Sequence, residues 1–342
     1  MMTTLLKKNT LVKIKEARKA GIECVMSTGR SRAYPEKWYT QLGTSRYIIS
    51  SGGSEVYDCK TKEILQDFPL DTQIAKILYN VAAKYNSLTP QERERISPLY
   101  AADNLRDTGL RIRFVGNGEN ATTILKDPKE ESLLGKDGDK ITFCNETNVV
   151  KDGKIIFDGT TVKVFDPEEF FNNTPIIQMM VGSNNRFVWK YMLDKIWPAD
   201  ERAVTPNDKM KRHNDNPKAI TLPFYAKALV DETANRGNMV ADVQVENTNK
   251  GEAAKFLYNL LDKPQMAMIG DANNDVEMAE VLRELNGISF AVGNTKDESL
   301  LNAVDFKLDA TATDGAVGFA ISEMLKAREY MQEYNIQQYA AR

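Results

Sequence analysis

In "MAMIGDANNDVEMAE" (266–280), Gly270 closes a short apolar run, and Asp271, Asn273, Asn274 and Asp275 follow within five positions. An apolar run ending in glycine reads as a buried strand, and oxygen-bearing side chains at its end suit a hard cation. Magnesium takes oxygen ligands, commonly one or two carboxylates beside the oxygens of a substrate phosphate. Asp271 and Asp275 are four residues apart. Asp275 falls at the start of the next helix, where the dipole and free N–H groups stabilise an anion. Acids also cap helices without further purpose, so a site requires partners from elsewhere in the chain.

In an open parallel sheet those partners lie beyond the carboxyl ends of the strands. "IECVMS" (22–27) ends in Ser27, Thr28 and Gly29, with Arg30 next. The Thr28 hydroxyl and the N–H groups of "TGR" can donate to a phosphoryl oxygen. "VADVQVENTNKGEAA" runs from a strand into a helix opening near Lys250, whose ammonium can balance a phosphate. "TATDGAVG" adds Asp314 and Gly315 after the strand 305–310. Separately, "STGR" reads as an ordinary turn and Lys250 as a surface lysine. Together, each after a strand, they read as a phosphate site.

The elements that must hold these loops follow from periodicity. "NTLVKIKEARKAG" (9–21) is a predicted helix with Leu11, Ile14 and Ala17 on one face and Gly21 at its C-terminal cap. Strands at 22–27 and 47–51 follow. The C-terminal third alternates helix 250–261, strand 265–270, helix 275–285, strand 287–293, helix 297–304, strand 305–310 and helix 316–331. Alternation of this kind predicts an α/β core with a parallel sheet. Between them lie polar loops, a strand pair at 148–159, a helix start at Asp166–Pro167, a strand at 175–182 and a helix at 186–196. The reading is a discontinuous core, 1–69 and 238–333, interrupted by an α+β insertion, 70–237, with 334–342 as a tail.

Composition bounds the partners. The chain has 342 residues and a formal net charge of −3, which gives nucleic acid no bulk electrostatic attraction. The basic stretch 208–218 is interleaved with acids and amides and reads as a solvated loop; it carries His213, the chain's one histidine. Three scattered cysteines, Cys24, Cys59 and Cys144, make neither a disulfide framework nor a zinc site and fit a reducing, cytoplasmic compartment. No apolar run is long enough to span a membrane, and no G-x-G-x-x-G follows a strand, which disfavours a nucleotide-binding redox module.

These residues resemble the haloacid dehalogenase superfamily, and within it the Cof-type phosphatases. "VMSTGRS" is similar to that family's second motif, "NTNKGEAAKFL" to its lysine motif and "MIGDANNDVEMAE" to its GDxxND metal motif, with "AVGN" and "TDGAVG" as further matching segments. The resemblance implies a Rossmannoid core interrupted by a large cap, and magnesium-dependent hydrolysis of a small phosphorylated metabolite of the sugar-phosphate kind. It further implies metal binding at Asp271 and Asp275, phosphate contacts from Thr28, Gly29, Arg30 and Asn274, and charge neutralisation by Lys250.

The family's first motif, Asp-x-Asp-Gly-Thr-Leu-Leu, departs here. If Thr4, Leu5 and Leu6 align with its Thr-Leu-Leu, Met2 stands where the second aspartate belongs, and no Asp or Glu precedes Glu16. The expectation is a chain without its attacking carboxylate. It would be either a shortened phosphatase or an inactive homologue that binds phosphate ligands or a protein partner. A central strand would also be missing, leaving strands 22–27 and 265–269 beside a gap.

Overall fold

The computed structural model describes residues 8–32, 35–36, 39, 46–96, 111–116, 121–124, 147–151, 154–157, 160–164, 167–183, 220–222, 226–231, 239–245 and 248–340. Expectations that fall on residues 2–6, Cys144, Asp166, the helix 186–196 and the loop 208–218 with His213 lie outside the described residues. The chain groups into two compact units, Met1–Gly29, Pro35–Glu63 and Asn249–Arg342 in one, Arg30–Tyr34 and Ile64–Thr248 in the other. Among the described residues no helix is long and apolar enough to cross a membrane.

In the first unit, helix α1 (Lys8–Lys19) buries Thr10, Ile14 and Ala17, one stripe at helical spacing. Gly21, at φ 77°, ends it, and the Ile22 N–H returns to the Ala17 carbonyl at 2.9 Å. That cap consumes the start of the run expected as a strand from residue 22, so β1 is only Met26–Ser27. It pairs in parallel with β2 (Tyr47–Ser50), Met26 facing Ile48. β3 (Glu55–Asp58) pairs antiparallel with β2, which makes this sheet mixed rather than purely parallel, and β4 (Glu63–Asp67) follows β3 in its order.

The second unit contains a nine-stranded sheet. Its strands are β5 (Arg111–Gly116), β6 (Ala121–Ile124), β7 (Thr147–Lys151), β8 (Lys154–Phe157), β9 (Thr160–Val164), β10 (Ile176–Ser183), β11 (Ile220–Leu222), β12 (Ala226–Asp231) and β13 (Met239–Val245). The spatial order is 11-12-13-10-5-6-7-8-9, and only β6 and β7 pair in parallel. Helix α2 (Thr72–Asn86), capped by Asp71, buries Ile74, Leu78 and Tyr85, and α3 (Pro90–Ile96) follows it. The rings of Phe114 on β5 and Phe171 on α4 (Pro167–Asn173) meet edge-on, centroids 5.0 Å apart. β13 pairs with β10 and β12, so the strand expected to begin the second core piece at 238 belongs to this sheet instead. An apolar strand pattern does not reveal which sheet it will join.

The first unit resumes with α5 (Lys250–Leu260), β14 (Ala267–Gly270), α6 (Val276–Glu284), β15 (Ile288–Ala291), α7 (Glu298–Ala303), β16 (Phe306–Lys307) and α8 (Ala316–Ala340). The three strands form a parallel sheet, Gly270 facing Ala291 and Phe290 facing Phe306. α8 runs nine residues past the expected end at 331, into the stretch read as a tail, because no glycine or proline interrupts 319–340. Its Val317, Ile321, Met324 and Leu325 pack against the α1 stripe.

An ion pair anchors the β2–β3 hairpin. Arg46 Nε donates to Asp58 Oδ2 at 2.8 Å, and the Lys60 N–H donates to Oδ1 at 2.8 Å. The hydrogen bond from Arg46 outweighs burial and holds the Asp58 carboxyl at about 2, against an ordinary 3.8. Because the folded value lies below the unfolded one, the stability it contributes is complete above about pH 4 and is lost as pH falls through about 2. Urea midpoints should therefore decline across that window, and Asp58→Asn should flatten the decline while lowering the plateau. Parallel curves for the two proteins would refute the assignment.

Candidate functional site

The turn after β14 folds back on itself because residue 270 has no side chain. A Cβ on Gly270 would lie 2.8 Å from Asp275 Cβ and 2.9 Å from its Oδ2. Into that space comes the Asp275 carboxylate, whose Oδ2 accepts the Asp271 N–H at 3.0 Å. Its Oδ1 accepts Lys250 Nζ at 2.8 Å, and both side chains are 6% exposed.

Lys250 reaches this position through its neighbours. Asn249 caps α5, its Oδ1 accepting the Glu252 N–H at 2.8 Å. A Cβ on Gly251 would stand 2.5 Å from the Glu277 carbonyl oxygen, so glycine lets α5 press against α6. The three letters Asn-Lys-Gly are thus a cap, a charge and a close contact in succession.

Lys250 Nζ also donates to Asn274 Oδ1 at 3.2 Å. With its oxygen engaged there, the amide presents its two Nδ2 donors away from the lysine. Nδ2 lies 3.6 Å from where a Gly29 Cβ would be. Thr28, half-buried, donates its N–H to the Ile49 carbonyl at 2.9 Å, and its own carbonyl accepts the Gly52 N–H at 3.0 Å. The loop 28–29, Asn274 and Lys250 therefore stand together at the carboxyl ends of β1 and β14.

Asp271 lies beside them and is exposed. Partial burial of its carboxyl first, and the charge of Asp275 second, push its pKa above the ordinary value, while Lys250 pulls it down. Among the described residues no other side chain hydrogen-bonds its carboxylate, and its own backbone N–H lowers its pKa slightly. The two aspartates thus have different situations: Asp275 is engaged on both oxygens, and Asp271 is open. Among the described residues no group of three or more His, Cys, Asp or Glu is placed to hold a metal. One open carboxylate at a turn of oxygen donors still fits magnesium, which keeps several waters and needs one or two protein carboxylates.

Arg30 is exposed and belongs to the second unit. Asp314 is engaged locally, accepting the Thr311 hydroxyl at 2.6 Å next to Gly315, which is left-handed at φ 89°. Two features escaped the sequence reading. Buried Thr295 donates its hydroxyl to the Asp271 carbonyl at 3.2 Å, and nothing in its spacing announces this. The pair Gly52-Gly53, directly after the strand expected at 47–51, forms a left-handed turn against α5; two adjacent glycines were the available signal.

The family model described as haloacid dehalogenase-like hydrolase matches residues 3–321. No curated protein matches the sequence. Among solved structures, a HAD subclass IIB sugar phosphatase is 13% identical, with 94% of this chain and 93% of that one covered and a TM-score of 0.58. A haloacid dehalogenase-like hydrolase from B. subtilis is 15% identical, with 92% of each chain covered and a TM-score of 0.58. Another from Bacteroides thetaiotaomicron is 12% identical, covering 94% and 95%, with a TM-score of 0.60. At these identities the likeness carries the fold.

Removing one member of a buried ion pair strands the other and costs about 3–5 kcal/mol. Lys250→Met should lose about that much in urea denaturation, and the double variant Lys250→Met/Asp275→Asn should recover part of it. A single variant as stable as the wild type would contradict the pairing.

Proposed function

The chain belongs to the haloacid dehalogenase-like hydrolases, and on that footing we propose that it is built for magnesium-dependent hydrolysis of a small phosphorylated metabolite of the sugar-phosphate kind. The observation that carries this reading is the buried Lys250, held by Asp275 and Asn274 beside the open carboxylate of Asp271. A cation kept at a sheet edge next to a carboxylate suits a phosphoryl group bridging the two.

In this reading each residue has one task. Asp271 is the protein carboxylate that would hold magnesium, and Asp275 supports it indirectly by bonding the Asp271 N–H and restraining Lys250. Magnesium, when bound, supplies Lewis-acid polarisation of a phosphoryl oxygen. Lys250 offsets the phosphate charge, Asn274 Nδ2 and the Thr28 hydroxyl donate to phosphoryl oxygens, and the Gly29 N–H adds a donor without steric bulk. Such preorganised donors stabilise the charge spread over the transferring group. The second unit we assign as the cap and the source of substrate choice. A sugar phosphatase among the structural neighbours supports that substrate class.

A second reading is a phosphate-binding homologue without turnover: among the described residues no third acid joins Asp271 and Asp275 in a cluster. Covalent catalysis needs a carboxylate in line with phosphorus.

Two measurements separate the readings. Calorimetric titration with magnesium should give binding that Asp271→Asn weakens at least about tenfold, a loss of about 1.4 kcal/mol, with the thermal midpoint little changed. Turnover of generic phosphate esters separates the two: hydrolysis that Asp271→Asn abolishes supports the phosphatase, phosphate binding without hydrolysis supports the homologue, and unchanged magnesium binding in Asp271→Asn would overturn the metal role.

A further inference from the structure

Between β2 and β3 the backbone takes an unusual course. Ser51, Gly52 and Gly53 all have positive φ, at 49°, 66° and 101°. Ser51 and Gly53 are buried. Left-handed backbone opposes a Cβ, so a buried serine there is strained, and such strain persists only where surrounding structure enforces it.

What surrounds this turn is the site. The Gly52 N–H donates to the Thr28 carbonyl at 3.0 Å. A Cβ built on Gly53 would stand 2.2 Å from the Asn249 carbonyl oxygen and 2.8 Å from the Lys250 nitrogen. The Asn249 carbonyl is the first acceptor of α5, taking the Ala253 N–H at 3.2 Å. One three-residue turn therefore touches both the loop that carries Thr28 and the residue that starts the Lys250 helix.

We propose that Ser51–Gly53 is the positioning element of the site: its glycine backbone seats the first turn of α5, and so Lys250, in register with Thr28. The proposal rests on Lys250 and Thr28 facing phosphate. The argument is steric. Any side chain at 53 must displace either the turn or the start of α5 by about 1 Å, since real Cβ atoms do not approach carbonyl oxygens at such distances. Displacing the turn strains its bond to Thr28; displacing α5 moves Lys250 from Asp275. Both routes separate the two phosphate donors, and a misplacement of that size suffices to cost much of a site's function.

Gly53→Ala in the full chain tests this, with two readouts. Reductive methylation followed by mass spectrometry reports the accessibility of each lysine amine. In the wild type Lys250, 5% exposed, should resist modification while the exposed Lys326 reacts as an internal reference. In Gly53→Ala, with circular dichroism unchanged, the Lys250 rate should approach that of Lys326. Inorganic phosphate affinity, measured calorimetrically with magnesium present, should fall about tenfold, while magnesium affinity alone stays as in the wild type. If Gly53→Ala does not fold, the same exchange in a Ser51→Gly background, which removes the strained Cβ, supplies the measurement. A folded variant whose Lys250 remains as protected as in the wild type would overturn the proposal. Absence of phosphate binding in the wild type would instead overturn the functional reading, and the methylation readout would still judge the turn.

Discussion

The contact between Lys250 and Asp275 is the constraint around which the first unit is arranged. Both side chains are withdrawn from water, and a buried ion pair contributes little net stability because desolvation offsets the attraction. What the pair supplies is direction. Asp275 can reach Lys250 only because Gly270 leaves room for its carboxylate. Lys250 can reach Asp275 only because Gly251 lets α5 lie against α6. Once they meet, the lysine's second hydrogen bond sets which face of the Asn274 amide looks outward. Two glycines, one cap and one ion pair thereby decide where three polar side chains point.

The same contact divides labour between two carboxylates four residues apart. Asp275 receives a lysine and a backbone N–H, so its charge is balanced within the protein. Asp271 receives no lysine among the described residues, and partial burial together with the neighbouring Asp275 charge raises its pKa. A carboxylate that is crowded by another and has no side-chain hydrogen bond gains more from a cation than one already paired with a lysine. Both acids are expected metal ligands, and their bonding within the chain differs: Asp275 accepts a lysine and a backbone N–H, whereas Asp271 has no side-chain partner among the described residues.

The amount legible in the sequence depended on whether the signal was local. β14, β15, α5 and α6 were readable because apolar runs of the right length sit between caps and glycines, and each was found within three residues of its expected place. The Asn-Lys-Gly and GDxxND segments were readable as chemistry because polar residues at a strand end have few structural reasons to cluster. The start of β1 was not readable, since the hydrogen bond from Ile22 to Ala17 that ends α1 competes with strand pairing and wins. Nor was the allegiance of β13, because pairing partners lie far away in sequence. Thr295 left no trace at all: a hydroxyl that bonds a distant carbonyl looks like any other.

The two sheets of the first unit meet at the site without being joined there by any strand pairing among the described residues. β1 stands at one end of its sheet's order and β14 at one end of the other. At the end of β1 the Ser27 hydroxyl is buried with no hydrogen-bond partner among the described residues. Helices make the connection instead. α1 lies on α8, where Gly318 admits the Thr10 backbone, and α5 lies on the turn after β2. Helix packing tolerates shifts of a few tenths of an ångström that a hydrogen-bonded ladder resists, so a site assembled from two such halves needs a close backbone contact to hold register. The approach of Gly53 to Asn249 and the bond from Gly52 to Thr28 provide one at the point where the halves converge. Strain concentrated at Ser51 is then the expected companion of that contact, since the chain must turn left-handed there to bring both glycines against α5.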